Sequence, residues 1–433
     1  MSARAVPAGR AGAAPDIALA ERLFAELAHR TGTGRGVTRA SYGLGEQIAH
    51  DMLRREARAL GLTVATDAAC NLYATLPGAS DAPGVVIGSH LDSVPMGGNY
   101  DGAAGVLMGL GVVAGFVRAG IVPPRDVTVM AIRAEESTWF GSSYIGSRGA
   151  LGLLRADELD GVLRHGDRVA LGQAIDAAGG DTAALRRGEA HLDPARIGLF
   201  VEPHIEQGPV LLAKGLPLGI VTGIRGSFRH RHASCTGAYA HSGATPRAGR
   251  QDAVRAVATL IVEMDALWQA RADAGCDLTV TFGQVSTDPD EAAFSKVAGR
   301  VGFTVDVRSA SPDTLAEVAA ELEARVAAIA AAQDVSFDLG PRTGSTPAAM
   351  LPGVVAAMER AAHDLGLPAR TMPCGAGHDA AVFAGLGVPT GMLFLRNAHG
   401  SHNPDEHMDM ADFAAGAAVL SRLCLDPPAL AAP

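Results

Sequence analysis

A short apolar run in this chain leads into a glycine-rich loop and then into a helix, an order that favours an open sheet of parallel strands. Residues 85–87 are apolar and β-branched, and the loop after them carries His90, Asp92 and Asp101. From Ala103 onward the composition predicts a helix. We therefore expect His90 to leave the carboxyl end of a buried strand and Asp101 to lie where the next helix begins. Open parallel sheets bind their ligands at that edge.

Three further apolar runs also end in histidine or carboxylate residues, and the side chains that follow them are Glu135, Glu136, His204 and His402. A single histidine is more often a core or surface residue than a ligand, and adjacent glutamates usually begin a solvated helix. Their recurrence at strand ends weighs against those interpretations, because chance would scatter such residues over both strand ends and over helix faces. Imidazole and carboxylate ligands together suit Zn²⁺, Mn²⁺ or Co²⁺. The pattern therefore indicates a metal site.

Length, charge and cysteine content limit the classes of function. A chain of 433 residues is too long for one ordinary core, so we expect two domains. Hydrophobic content of 48% with charged content of 19% is typical of a soluble globular protein. The formal net charge of −10 argues against a nucleic acid or an anionic membrane as the main partner. Five scattered cysteines fit a reducing cytoplasm, and no uncharged apolar run is long enough to cross a bilayer.

The pattern along the chain predicts an α/β fold, in which a mixed, mostly parallel sheet has helices on both faces. Residues 1–16 are rich in alanine, glycine and proline and are predicted to form a disordered extension. Residues 219–335 alternate strands with two long helices, which predicts an inserted α+β domain. Because candidate ligands lie on both sides of this insertion, residues 17–218 and 336–433 are expected to form one metal-binding domain, with the insertion as a separate lid.

Seven motifs make the chain resemble the hydantoinase/carbamoylase group of the M20 metallopeptidase clan. They follow the order of the group and read GSHLDSVP (88–95), GGNYDG (97–102), EE (135–136), HIEQGP (204–209), AHSGATP (240–246), GAGHDA (375–380) and SHNP (401–404). The group includes N-carbamoyl-L-amino acid hydrolases, allantoate amidohydrolases and β-ureidopropionases. The motifs are specific for the group and much less specific for the substrate.

The resemblance implies a centre of two divalent ions, either zinc or else manganese, cobalt or nickel. Asp101 would bridge both ions. His90 and His204 would complete the coordination of one ion, and Glu136 and His402 that of the other. A bridging carboxylate brings two ions to within about 3.5–4 Å, where together they can activate water and polarise a scissile carbonyl.

Two further carboxylates have implied roles beside the ligands. Asp92 would hold the far nitrogen of His90, which is the usual position of a carboxylate behind a metal-bound imidazole. Glu135 would act as the general base, taking a proton from the attacking water and returning it to the leaving nitrogen. Metal charge lowers the pKa of bound water towards ~7, so a glutamate is a sufficient base.

The resemblance also implies four residues that would contact the substrate. His241 would stabilise developing negative charge on the carbonyl or carbamoyl group, in its own or a partner's site, although its neighbours alone favour a simple turn. Gln207 would contact the ureido or amide group, and Arg308 would bind an α-carboxylate. Ser295 stands where the group usually has an asparagine that helps to hold the same carboxylate, so the choice of substrate stays open.

The expected reaction is hydrolysis of an N-carbamoyl-L-amino acid to amino acid, CO₂ and ammonia, by a cytoplasmic homodimer that pairs through the lid domain. Allantoate amidohydrolase and β-ureidopropionase activities are alternatives on the same fold. An aminoacylase or dipeptidase of the same clan is a further alternative, against which the motifs around Asp101 and His204 argue. A non-catalytic binding protein is disfavoured, because Glu135 is present beside a full ligand set.

Overall fold

The computed structural model describes residues 14–428 and divides into two compact units. The first unit holds the described residues up to Thr222, then Met350–Met372 and the described residues from His378 onward, and the second holds Gly223–Ala349 and Pro373–Gly377. Most of the predicted N-terminal extension, residues 1–13, lies outside the described residues. The last residue of that extension, Asp16, caps the first helix by accepting the backbone N–H of Leu19 at 3.0 Å.

The helices of the described chain are α1 (Ile17–Thr31), α2 (Leu44–Ala59), α3 (Ala103–Ala119), α4 (Ser137–Phe140), α5 (Ile145–Ala150), α6 (Ala156–Gly161), α7 (Leu171–Ala177), α8 (Thr182–Arg186), α9 (Val210–Lys214), α10 (Ala253–Asp273), α11 (Pro312–Gln333), α12 (Pro352–Asp364), α13 (Ala380–Gly385) and α14 (Met410–Leu425). The strands are β1 (Thr63–Thr66), β2 (Leu72–Leu76), β3 (Gly84–His90), β4 (Val127–Ile132), β5 (Ile197–Ile205), β6 (Leu218–Ile224), β7 (Gly226–Thr236), β8 (Ala240–His241), β9 (Thr279–Thr281), β10 (Val285–Thr287), β11 (Lys296–Val297), β12 (Arg300–Ser309), β13 (Ser336–Asp338), β14 (Arg342–Ser345), β15 (Ala348–Ala349), β16 (Ala369–Cys374) and β17 (Thr390–Leu395). Between residues 14 and 428, no helix combines the length and the apolar character needed to cross a membrane.

The first unit is built on a sheet with the strand order β1-β2-β4-β3-β5-β17-β6. Its central strands β4, β3, β5 and β17 are parallel, whereas β1, β2 and β6 add antiparallel edges. The central strands are buried along almost their whole length, which explains why they appear in the sequence as continuous apolar runs. The predicted α/β fold, with a mixed sheet that is parallel at its centre, is confirmed.

Helices cover both faces of this sheet. On one face, α3 packs on β3 and β5, and Val201 of β5 belongs to the core that α3 shares with α1 and α14. Side chains alternate along a strand, so the neighbouring Phe200 points to the opposite face. There it stacks on Phe383 of α13, with ring centroids 3.7 Å apart. α3 lies very close to β5, and this approach requires a glycine at position 105. A Cβ atom on Gly105 would come within 2.1 Å of the carbonyl oxygen of Pro203.

The second unit is an antiparallel sheet that packs against two long helices. Its strand order is β10-β12-β7-β13, with β9 also paired to β12 and β14 also paired to β7. α10 and α11 pack side by side, and their apolar residues form one core with those of β7 and β12. β8 and β11 form a separate two-stranded ladder, in which His241 is the register partner of Lys296.

The inserted segment is longer than the sequence predicted. We expected it to end at residue 335, but β13 and β14 follow that residue and both pair with β7. Both strands are short and mostly exposed, so they lack the alternation of apolar and polar residues by which strands are recognised. Within the insertion, the short strands β9 and β10 are separated around Gly283.

Candidate metal centre

Adjacent parallel strands deliver the candidate ligands to one edge of the first unit's sheet. β3 ends at His90, and β5 carries His204 as its penultimate residue. Glu136 follows β4 after a short loop, and His402 follows β17 in the same way. Because β4, β3, β5 and β17 are neighbours, their carboxyl ends lie side by side. Asp101 reaches the same edge from the loop that precedes α3.

His90, Asp101 and His204 form the first group of converging ligand atoms. The Nε2 atoms of His90 and His204 lie 3.6 and 3.2 Å from Oδ1 of Asp101, and 3.4 Å from each other. The two Nδ1 atoms instead face backbone carbonyl oxygens, those of Asp92 at 3.1 Å and Ile205 at 2.9 Å. An Nδ1–H that donates to a carbonyl leaves the Nε2 lone pair of the same ring available to a cation.

Asp101, Glu136 and His402 form the second group. The Nε2 atom of His402 lies 3.4 Å from Oδ2 of Asp101 and 3.2 Å from Oε1 of Glu136. Asp101 therefore presents one carboxylate oxygen to each group. The side chain of His402 is 50% exposed, whereas Asp101 and Glu136 are buried. His402 is therefore the solvent-exposed member of this group.

The donor atoms of both groups fit divalent cations. Two imidazole nitrogens face the buried Oδ1 of Asp101, which accepts no hydrogen bond from the part of the chain that the structure describes. A buried carboxylate oxygen without a partner is costly, and facing lone pairs repel one another unless positive charge lies between them. Imidazole nitrogen and carboxylate oxygen are ligands of zinc and of related divalent ions. His90, His204 and Asp101 would hold one such ion, and Asp101, Glu136 and His402 would hold another.

The charges of this centre shift the pKa values of its side chains. Burial lowers the pKa of His90, but the surrounding carboxylates, first of all Asp101, outweigh burial and hold it well above the usual value. Asp101 and Glu136 raise the pKa of His402 to about 10. Burial raises the pKa of Asp101, but the three facing imidazoles outweigh burial and hold it well below the usual value. The centre therefore favours positive charge, which protons or metal ions can supply.

Asp92 is buried behind His90 and holds several parts of the centre at once. Its Oδ1 atom lies 3.3 Å from Nδ1 of His90. The same carboxylate accepts the backbone N–H groups of Glu135 and Glu136 at 3.1 and 3.2 Å. It also accepts the hydroxyl group of Ser41 at 2.6 Å. These bonds orient the imidazole and fix the loop that carries the predicted base.

The carboxylate of Glu135 lies beside the first ligand group. Its Oε2 atom is 4.0 Å from Nε2 of His90. Burial raises the pKa of Glu135 well above the usual value, and the carboxylates of Glu136 and Asp379 add to this effect, although His90 opposes it. A carboxyl group with a raised pKa, next to converging ligand atoms, is suited to exchange protons at that position.

Two buried networks that support the centre were not found from the sequence. The first is centred on Glu46 of α2, which accepts the guanidinium of Arg133 and the backbone N–H of Ala134, each at 2.9 Å. These bonds hold the loop between β4 and Glu135, where Ala134 has a positive φ of 52°. No local signal distinguishes Glu46 from an exposed helical glutamate, because its partners lie far away in sequence.

The second network is centred on Glu406. Its Oε1 atom accepts the backbone N–H groups of Tyr100 and Asp101 at 2.8 and 3.1 Å. The Ser401 hydroxyl lies between Oε2 of Glu406 and Oδ2 of Asp101. Gly98 makes room for this carboxylate, because a Cβ atom there would lie 2.1 Å from the carboxyl carbon. Burial and the charge of Asp101 raise the pKa of Glu406 to about 7. In the sequence, the signal that could have identified Glu406 is its position two residues after the SHNP motif.

His378 lies buried against the first ligand group. Its ring packs on that of His204, with centroids 4.4 Å apart, and neither of its nitrogens has a hydrogen bond to any described residue. Burial lowers the pKa of His378 well below the usual value, so the ring is neutral at pH 7. The adjacent Asp379 accepts the hydroxyl of Ser147 at 2.5 Å, and burial raises its pKa to about 7. These side chains form the inner wall behind His204.

Gln207 lies next to the candidate ligands. Its side-chain amide donates to Oδ2 of Asp101 at 3.0 Å, and its backbone has a positive φ of 63°. The backbone N–H of Gln207 donates to Oδ1 of Asn397 at 3.0 Å, which holds this conformation. The amide group therefore contacts a ligand directly, and its contact with a substrate stays a prediction.

The other candidate substrate contacts lie in the second unit. His241 and Ser295 are exposed, in and beside the ladder of β8 and β11. Arg308 lies on β12, and its Nη2 atom donates to Asp306 at 2.9 Å. Asp306 also lies 3.4 Å from Arg229, so these three side chains together carry one net positive charge. A carboxylate would be attracted to such a cluster.

Comparison with known proteins relates this arrangement to enzymes. The profile of peptidase family M20/M25/M40 matches residues 86–426. An N-carbamoyl-L-amino acid amidohydrolase of Geobacillus stearothermophilus is 36% identical over 407 residues, which cover 92% of this chain and 96% of the relative. An allantoate amidohydrolase of Escherichia coli is 32% identical over 390 residues, which cover 89% and 92%. A solved hydantoinase/carbamoylase family amidase from Burkholderia multivorans has a TM-score of 0.85 and 30% identity, covering 95% of this chain and 98% of its own.

Proposed function

Because this chain belongs to peptidase family M20/M25/M40, we propose that it hydrolyses N-carbamoyl-L-amino acids to amino acid, CO₂ and ammonia. The resemblance seen in its motifs is confirmed, and the chain is an amidohydrolase that acts on C–N bonds other than peptide bonds. The choice of substrate is supported by relatives named N-carbamoyl-L-amino acid amidohydrolase, at 36% and 32% identity.

The proposal rests on one observation, which is that Asp101 belongs to both ligand groups. Its two oxygens face different imidazoles, which supports the proposal that Asp101 would contribute to both cation sites. Divalent cations bound there would activate water and polarise the substrate carbonyl. His90 and His204 would hold one ion, and Glu136 and His402 the other.

Proton transfer falls to Glu135 in this proposal. Its buried carboxylate is next to the converging ligand atoms, and its backbone is fixed by the bond to Asp92. A carboxylate in that position can take a proton from the attacking water and deliver it to the leaving nitrogen. The raised pKa of Glu135 favours holding the proton between these two steps.

Substrate recognition is proposed for three side chains. The cationic cluster at Arg308 supports binding of an α-carboxylate, and Gln207 is proposed to contact the carbamoyl group. His241 is proposed to donate a hydrogen bond to the carbonyl oxygen. Pairing of two copies through the second unit stays a prediction, which sedimentation of the purified protein tests. A cytoplasmic location also stays a prediction.

Activity on a substrate panel with defined metals tests the proposal. The zinc-loaded and manganese-loaded proteins are given N-carbamoyl-L-amino acids, allantoate, β-ureidopropionate, N-formyl amino acids and dipeptides, and ammonia and amino acid release are measured. We expect the carbamoyl amino acids to be the best substrates. The second candidate is allantoate, which the similarity to the E. coli relative supports. Preference for dipeptides or acyl amino acids would contradict both.

A further inference from the structure

The turn that follows β8 donates two backbone hydrogen bonds to the side chain of His241, the last residue of that strand. The Nδ1 atom of His241 lies 3.2 Å from the backbone nitrogen of Gly243 and 3.1 Å from that of Ala244, and both N–H groups point at it. An N–H group can only donate, so the ring nitrogen that it meets has to present a lone pair. A proton on Nδ1 would break both bonds and place hydrogen against hydrogen.

We propose that this turn fixes His241 as the tautomer with its proton on Nε2, and that Arg250 is the positioning residue that holds the turn. The proposal rests on the proposed function, because it assigns His241 one chemical role in that reaction. With Nδ1 occupied as an acceptor, the neutral ring offers a single N–H donor at Nε2. A donor of that kind stabilises negative charge on an oxygen atom.

Arg250 ties the two ends of the turn together. Its Nε atom donates to the carbonyl oxygen of Thr245 at 2.9 Å, and its Nη2 atom donates to that of Ser242. The backbone of Ser242 also donates to the carbonyl oxygen of Ser295 at 2.9 Å. Removal of the guanidinium would leave two carbonyl groups of the turn without their donors. The segment that aims two N–H groups at His241 would then lose its constraint.

The fixed tautomer separates the role of His241 from that of Glu135. A ring whose Nε2 already carries a proton cannot take another there, and Nδ1 is engaged by the backbone. His241 therefore donates a hydrogen bond without moving a proton. Both proton transfers of the reaction are then left to Glu135.

Nitrogen NMR reads the tautomer directly. We would record long-range proton–nitrogen spectra of the zinc-loaded protein with ¹⁵N-labelled histidine, and assign His241 from a His241→Gln variant. Nδ1 of His241 is expected at the shift of an unprotonated nitrogen and Nε2 at that of a protonated one. His230 is the internal control, because its Nδ1 lies 3.1 Å from the carbonyl oxygen of Leu339 and must carry the proton. A protonated Nδ1 in His241 would overturn the proposal.

An Arg250→Gln variant tests the positioning role by the same signals. We expect the two His241 resonances to move towards intermediate values, as for a ring that exchanges between tautomers, while those of His230 stay unchanged. Unchanged His241 signals in the folded variant would remove Arg250 as the positioning residue. This readout is independent of turnover, so it decides the question even if the proposed substrate is wrong.

The kcat values of two His241 variants distinguish a hydrogen-bond donor from a residue that transfers a proton. The amide of glutamine can replace the Nε2–H donor of His241, whereas alanine offers no donor. We expect His241→Ala to lose about 10²–10³-fold in kcat, the usual effect of removing such a donor, and His241→Gln to keep at least about tenfold more activity than His241→Ala. Equal loss in the two variants would show that His241 transfers a proton. If no panel substrate is hydrolysed by the unmodified protein, the proposed function fails and the NMR result still stands.

Discussion

The Oε1 atom of Glu406 accepts the backbone N–H group of Asp101 at 3.1 Å. The other oxygen of Glu406 meets the hydroxyl of Ser401, the residue before the candidate ligand His402. One buried carboxylate therefore joins the loop that carries Asp101 to the loop that carries the candidate ligand His402. Their relative position depends on Glu406, although Glu406 belongs to neither ligand group.

Replacing Glu406 is therefore expected to weaken metal binding. Glu406→Ala leaves the backbone N–H groups of Tyr100 and Asp101 without their acceptor and removes one of the two carboxylates that the Ser401 hydroxyl contacts. We expect a loss of about 10–100-fold in metal affinity, as for other groups that orient ligands. Glu406→Gln is the matched control, because its amide oxygen can still accept both N–H groups. Chelator competition measures the affinity. Equal affinities in the alanine variant and the unmodified protein would show that the two loops hold their positions without this carboxylate.

Glu135→Gln is expected to separate metal binding from turnover. The variant keeps the size of the side chain and removes its ability to take a proton. We expect it to bind metal with nearly unchanged affinity and to lose about 10²–10⁴-fold in kcat. Metal content and steady-state kinetics are the measurements. Near-normal kcat in a metal-loaded variant would remove Glu135 as the base.

Metal affinity is expected to rise with pH. Asp101 and Glu136 raise the pKa of His402 to about 10, so at pH 7 its ring carries a proton that a cation has to displace. Raising the pH towards 10 removes that proton, and each displaced proton strengthens apparent binding about tenfold per pH unit. Calorimetry in buffers of different ionisation enthalpy counts the protons released. Affinity that is independent of pH between 6.5 and 9 would contradict this view of His402.

The candidate ligands could be predicted from the sequence because each belongs to a local pattern. His90, Glu136 and His204 come at or just after apolar runs that are central strands of the sheet, and neighbouring parallel strands end at one edge. The α/β class followed from the same runs. The assignments of individual roles, including that of Asp92, rested on the resemblance and stay predictions.

The supporting residues could not be predicted in the same way, because their contacts join distant parts of the chain. Glu406 and Tyr100 are 306 positions apart, and Glu46 and Ala134 are 88 apart. A buried glutamate resembles an exposed one in sequence, since only the folded chain supplies the N–H groups that it accepts. The strand β14 was missed for a related reason, because all four of its residues are exposed and its partner is β7.

Arg308→Ala is expected to weaken binding of substrates that carry a carboxylate. The side chain shares Asp306 with Arg229, so its removal cancels the net positive charge of the cluster. Loss of a charged hydrogen bond of about 1.5–3 kcal/mol raises KM about 10–100-fold, while kcat changes little because the reacting atoms are not touched. The control is the matching carbamoyl amine that lacks the carboxylate, for which KM should be the same in both proteins. Unchanged kinetics with the carboxylated substrate would show that another group binds the carboxylate. Lys296, next to Ser295, would then be the first residue to replace.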